Sequence, residues 1–249
     1  MRRPLKLLVL LGTLILLATL AFVIWGSTPL GPMEEAMAAL QTDEVVLATQ
    51  HGWYLFEPVS RKPSVGLILY PGGRVDPRSY APLAREIAAA GFASVITPMP
   101  LNLAVFEPDQ AMDVMQSLPG ITAWAVGGHS LGGAMAARFA YRHPHEVEGL
   151  VLLAAYPASS DDLSTSGIQV LSLFGTLDGL ADVETIEASR SILPAETTWV
   201  AIQGGNHAQF AWYGDQPGDR PAAISREVQQ TETVRAIVQF LTALRDANP

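Results

Sequence analysis

The chain has 249 residues, 15 Lys+Arg against 24 Asp+Glu, 49% apolar residues and no cysteine. Its length suits one large α/β domain with a sizeable core. The missing cysteines exclude a disulfide scaffold, a thiolate metal site and a cysteine nucleophile. A net charge of −9 argues against the clustered basic face that a nucleic acid partner requires.

The first predicted element is an apolar helix. Residues 7–25 (LLVLLGTLILLATLAFVIW) carry no charge, and a helix of that length spans roughly 28 Å, close to the ~30 Å of bilayer hydrocarbon. Arg2, Arg3 and Lys6 precede it, and the next basic residue is Arg61. The positive-inside bias therefore keeps the N-terminus cytoplasmic and puts the remainder on the far side of the membrane. Residues 1–30 are predicted to be an uncleaved single-pass anchor and linker, and residues 31–249 one domain on the extracytoplasmic side. A cleaved signal peptide, which would leave a secreted protein, is the alternative. Its apolar core is usually only ~7–15 residues, and the small-x-small site Ala36-Met37-Ala38 lies well past the run.

Beyond the linker a brief helix is expected over 32–41, then a hairpin from strands 44–49 and 53–57. Strands follow over 65–70, 92–97, 122–126, 150–154, 168–174 and 198–202, with helices over 79–90, 109–118, 131–141, 183–192 and 224–244. The central strands are nearly continuous apolar runs, as befits strands buried on both faces of a parallel sheet. The pattern predicts an α/β fold: a mostly parallel twisted sheet with helices on both faces, opened by an antiparallel hairpin.

Gly128-His129-Ser130-Leu131-Gly132 matches G-x-S-x-G, directly after the strand TAWAV and before the small-residue helix GGAMAARFA. A serine in a tight strand–helix turn projects its hydroxyl above the sheet edge, over the unpaired N–H groups of the helix start. Serine needs a positioned base, itself oriented by a carboxylate. His207 in GGNHA, just after the last strand, is the base candidate; His51, His143 and His145 read as turn residues, and His129 fills the variable position of the motif. Asp178 in FGTLDG, after the strand IQVLSLF, is the acid candidate, with Asp182 as backup or as a helix cap. One oxyanion donor is expected from the N–H of Leu131. The other is expected from the turn Pro71-Gly72-Gly73-Arg74, with Gly73 chosen and Arg74 next. Phe210, Trp212 and Tyr213 read equally as an aromatic wall for an acyl group or as packing.

The YPGG turn, the GHSLG elbow, the FGTLDG loop and the GGNH loop, in that order, make residues 44–244 resemble the α/β-hydrolase fold family. The outline is similar to dienelactone hydrolases, with serine in place of their cysteine. Tyr70-Pro71 stands where many members carry His-Gly. Only residues 157–167 separate the strand after the elbow helix from the acid strand, too few for a helical cap, so a minimal or cap-less, shallow site is implied. The resemblance implies a carboxylesterase-like serine hydrolase with Ser130, Asp178 and His207 as catalytic residues and no metal or cofactor. Its implied substrate is a small-molecule ester; the N-terminal helix, on topology alone, makes the membrane a partner and a lipid-like ester the expected variant. A peptidase or acyltransferase with the same residues, or a non-catalytic tethered module, is the competing reading.

Overall fold

The computed structural model describes residues 2–247; Met1, Asn248 and Pro249, which the predicted anchor and domain include, lie outside the described residues. The first helix, α1 (Arg2–Ser27), lies outside the sheet and meets the rest of the chain at its C-terminal end. Its span Lys6–Ser27 reaches a mean hydropathy of 2.9, and its side chains are exposed up to Trp25. By length and composition it is able to cross a membrane, as an anchor or a signal sequence. A short helix, α2 (Glu34–Ala38), leads into the sheet.

Eight strands form one sheet: β1 (Val46–Gln50), β2 (Tyr54–Pro58), β3 (Val65–Tyr70), β4 (Ala93–Ile96), β5 (Ala123–His129), β6 (Gly149–Leu153), β7 (Gln169–Gly175) and β8 (Thr198–Ile202). Their spatial order is β1-β2-β4-β3-β5-β6-β7-β8. The hairpin pairs antiparallel, and every pair from β4 onward is parallel. Successive side chains of a strand point to opposite faces, so an apolar run feeds two cores. Leu67, Leu69, Ala125, Val151 and Leu171 join one cluster, covered by α3 (Ala81–Ala89) and α7 (Arg226–Ala247). Ile68, Tyr70, Val126, Leu152 and Val170 join the other, covered by α4 (Gln110–Ser117) and α5 (Leu131–Arg142). The remaining helix, α6 (Val183–Ala188), follows the acid loop.

Among the boundaries that differ from the sequence reading, two have a clear local cause. β5 runs on through Gly127 and Gly128 to His129. Glycine is a poor strand former, but a Cβ at Gly127 would lie 2.6 Å from the carbonyl oxygen of Val151, so close strand approach demands it. The helix expected over 183–192 ends at Ala188 and tightens into a 3₁₀ turn, Ser189–Ile192, two residues short of Pro194. Between β6 and β7 the chain forms no helix, so the cap expected to be minimal is absent.

Candidate active site

The site is built at the C-terminal ends of β3, β5, β7 and β8. Ser130 joins β5 to α5 with φ 53° and ψ −124°. That positive φ costs a non-glycine residue roughly 1–3 kcal/mol unless its surroundings enforce it. They do so through the main chain: the Ser130 N–H donates to the Leu153 carbonyl (3.0 Å), and the Ser130 carbonyl accepts from Ala134 N–H (3.1 Å). The glycines of the motif are steric necessities. A Cβ at Gly132 would lie 2.2 Å and 2.3 Å from the carbonyl oxygens of Tyr70 and Pro71, and one at Gly128 would lie 2.6 Å from the Tyr70 oxygen. The elbow is thus wedged against the turn after β3.

In that turn the donors are sorted by their partners. Gly72 N–H donates to the Tyr80 hydroxyl (2.9 Å), and Arg74 N–H donates to the Asn102 carbonyl (2.8 Å). Gly73 N–H has no acceptor among the described residues. Leu131, the first residue of α5, likewise has no intrahelical acceptor for its N–H. The two sit close together, since a Cβ on Gly73 would be 3.1 Å from Leu131 Cδ2.

Asp178 and His207 are almost fully buried and joined by a 2.8 Å hydrogen bond from imidazole Nδ1 to Asp178 Oδ2. The other carboxylate oxygen accepts from the N–H groups of Leu180 (2.8 Å) and Ala181 (2.7 Å). These two main-chain donors fix the orientation of the carboxyl group, leaving Oδ2 for His207. His207 Nε2 is buried without a hydrogen-bond partner among the described residues, and no hydrogen bond links it to Ser130 in this structure. His129, the residue before Ser130, brings its ring centroid within 4.5 Å of that of His207.

The loops bearing the acid and the histidine are tied together by groups that sequence reasoning missed. Asp219 accepts from Gly179 N–H (3.0 Å) in the acid loop and from Ala208 N–H (2.9 Å) in the histidine loop. Gln229 of α7 grips the main chain of Asn206 in both directions, accepting from its N–H (3.0 Å) and donating to its carbonyl (2.8 Å). Arg226, one turn earlier, donates to the carbonyls of Ala208 (2.7 Å), Ala211 and Gly214 (3.0 Å). These three residues lie within an eleven-residue stretch but bind groups 11 to 40 positions away and carry no periodic signature, so only the tertiary structure shows their shared role.

His129 was also missed. Its Nδ1 lies 2.8 Å from the Tyr80 hydroxyl, whose oxygen already accepts from Gly72. Burial pushes the Tyr80 hydroxyl pKa up, so it keeps its proton and donates it to His129 Nδ1. Burial, then the neighbouring His207, holds the His129 pKa well below the usual imidazole range. His129 is therefore a neutral packing surface for His207. A fingerprint histidine inside the elbow motif was the only available signal.

A stability consequence follows. In the unfolded chain His129 takes a proton near pH ~6.5, whereas the folded protein refuses it. Stability from this residue is complete above that pH and falls below it, by up to ~1.4 kcal/mol per pH unit until the folded pKa is reached. His129→Gln should therefore lose less stability than wild type between pH 7 and pH 5 in urea melts. Equal losses in the two proteins would remove this account.

The other sequence candidates resolve plainly. Asp182 caps α6, accepting from Thr185 N–H (2.8 Å), and makes no contact with a histidine. His143 bonds Asp109 (3.1 Å) and His145 is exposed, both beyond the far end of α5. Phe210, Trp212 and Tyr213 are buried; Phe210 and Tyr213 pack behind His129, which makes those two interior packing. Concavities of about 680 and 640 Å³ lie elsewhere, the second bordered by Trp212, and neither is lined by Ser130 or His207; Ser130 is half-buried.

A model of the alpha/beta hydrolase family matches residues 66–231, more than half of the chain. No curated protein matches it. Among solved structures, a predicted CIB-like hydrolase from Thermoplasma acidophilum is similar at 15% identity and a TM-score of 0.61, covering 80% of this chain and 100% of its own. The carboxylesterase CesB from Bacillus subtilis is similar at 13% identity and a TM-score of 0.57, covering 82% and 95%. A dienelactone hydrolase from Anabaena variabilis is similar at 17% identity and a TM-score of 0.58, covering 80% and 98%. At these identities the likeness concerns the fold.

Proposed function

The chain belongs to the alpha/beta hydrolase family, and on that premise we propose that it is a serine hydrolase of carboxylic esters working through an acyl-enzyme. Ser130 is the nucleophile, His207 the base and acid, and Asp178 the carboxylate that orients the imidazole. The N–H groups of Leu131 and Gly73 receive the oxyanion.

One observation carries the reading: a buried imidazole with Nδ1 held by a buried carboxylate and Nε2 left without a partner, packed against the residue that precedes a serine on a strained elbow. Keeping such a ring nitrogen dry and unpaired costs stability, on the order of 1–3 kcal/mol, and proton transfer with a reacting hydroxyl accounts for the expense. Ser130 Oγ attacks the ester carbonyl while its proton passes to Nε2. The tetrahedral oxyanion forms against the two open N–H groups. Its collapse breaks the bond to the alkoxy oxygen, which leaves as alcohol with the proton from Nε2. Water then repeats the sequence on the acyl-enzyme, releasing the acid and restoring Ser130.

Helix α1 serves in this reading as a membrane anchor, with Arg2, Arg3 and Lys6 holding its N-terminus in the cytoplasm and the site on the opposite side. The test is active-site labelling of the intact protein. A fluorophosphonate should modify one serine, mapped to Ser130 by peptide mass, and labelling should abolish hydrolysis of short p-nitrophenyl esters in proportion. Modification at another serine, or full ester hydrolysis after complete labelling of Ser130, would refute the assignment.

A further inference from the structure

The helix read as a membrane anchor does not hang from a free linker. Its last turn is fastened to the turn that holds Gly73. Arg74, itself at φ 58°, donates from Nε to the Trp25 carbonyl (2.8 Å) and from Nη2 to the Thr28 carbonyl (2.7 Å). The guanidinium also lies 4.5 Å from the centroid of the Trp25 ring. Leu30 forms a parallel bridge with Val75, donating to the Arg74 carbonyl (2.7 Å) and accepting from Asp76 N–H (3.0 Å). On the other side Asn102 Nδ2 donates to the Gly26 carbonyl (2.9 Å). Gly26 approaches so closely that a Cβ there would lie 3.0 Å from Leu101 Cβ. A flexible tether would let the site face any direction. This clamp fixes it relative to the helix.

The clamp also determines which surface meets the bilayer. Residues 99–106 (MPLNLAVF), after β4, carry no charge. Phe106, 51% exposed, packs edge-on against Phe22 of α1 with ring centroids 6.2 Å apart, and its neighbour Val105 is 45% exposed. Phe22 lies five residues before the end of the span Lys6–Ser27, or about 7.5 Å along a helix axis. A side chain packed on Phe22 shares its depth when α1 crosses a membrane. That depth matches the ~5–10 Å at which apolar side chains of interfacial segments seat among headgroups and acyl chains. The same segment reaches the site: Leu103 Cδ2 lies 3.7 Å from where a Cβ on Gly73 would sit.

We propose that residues 99–106 form an interfacial rim, with Val105 and Phe106 seated in the bilayer surface beside α1, so that the site faces the membrane and draws its acyl ester from the lipid phase. The occupant of this apolar surface is the lipid bilayer, because the surface continues the lipid-facing side of α1. The substrate half of the inference rests on the esterase reading above; the depth half rests only on α1 spanning the membrane.

The absence of cysteine allows a clean test on the full chain. Phe106→Cys, and separately Val105→Cys and His145→Cys, are labelled with a nitrobenzoxadiazole fluorophore and reconstituted in phosphatidylcholine vesicles with or without doxyl-labelled lipid. Positions 105 and 106 should be quenched at least twofold by doxyl lipid and shielded from aqueous iodide, with the reverse at 145. Strong iodide quenching and no doxyl quenching at both 105 and 106 overturns the rim. In parallel, Phe106→Asp should lower the ratio of hydrolysis of a vesicle-borne long-chain ester to that of a soluble short ester by tenfold or more. An unchanged ratio overturns the lipid-phase substrate. Failure of wild type on both esters would instead strike down the esterase reading and the substrate half with it, while the fluorophore positions still decide the rim.

Discussion

Replacing Ser130 by alanine should lower kcat/KM for a short chromogenic ester by at least ~10³-fold, as removal of a triad nucleophile does elsewhere. The fold should survive it. The Ser130 hydroxyl makes no hydrogen bond among the described residues, and the contacts enforcing the elbow run through its main chain and through neighbouring glycines. Alanine keeps the same Cβ at φ 53°, so stability should stay within ~0.5 kcal/mol of wild type. Ser130→Gly should be equally inactive but more stable, by about 1 kcal/mol, because glycine adopts this conformation without strain. The pair separates loss of chemistry from loss of structure. Activity within tenfold of wild type in Ser130→Ala, with a wild-type melting curve, would move the nucleophile elsewhere.

The elements that were legible in the chain are those whose cause is local. Each central strand is a short apolar run, and a run buried on both faces needs no partner to announce it. The elbow was legible because its glycines answer to main-chain atoms in a tight turn, a demand any chain must meet with the same residue. Asp178 and His207 stood out as candidates because each follows a strand at its C-terminal end, where open α/β sheets collect their chemistry.

What escaped was decided at a distance. The sequence ranks Gly73 above Arg74 as a donor without a physical reason, which the Asn102 carbonyl, on a loop after β4, supplies by engaging Arg74 N–H. Asp219 looks like an ordinary loop aspartate, yet it joins the loops bearing Asp178 and His207. The aromatic residues after His207 stayed ambiguous because an acyl-binding wall and a packed interior favour the same side chains. Even the apolar N-terminal helix, plain as a span, gave no hint that its last carbonyls would be held by a residue of the turn under the site.

The second large effect concerns the acid. Asp178→Asn should reduce kcat/KM by ~10⁴-fold, the loss known for this substitution in a triad, although the two side chains are nearly isosteric. The geometry around Asp178 shows why the asparagine would be wrong. Leu180 and Ala181 N–H groups both point at Oδ1, so an amide must place its oxygen there and turn its NH₂ toward His207. Two donors cannot share Nδ1, so the ring would shift its proton to Nε2, the nitrogen that must accept from Ser130. The variant should melt near wild type, react slowly with fluorophosphonate, and gain little from raising the pH, because the defect is a tautomer and not a protonation state. Asp182→Asn is the matched comparison. It keeps an oxygen for Thr185 N–H and lies outside the His207 hydrogen bond, so its turnover should stay within twofold of wild type. If Asp182→Asn suffered the larger loss, the carboxylate seen on His207 would not be the one that orients it during reaction.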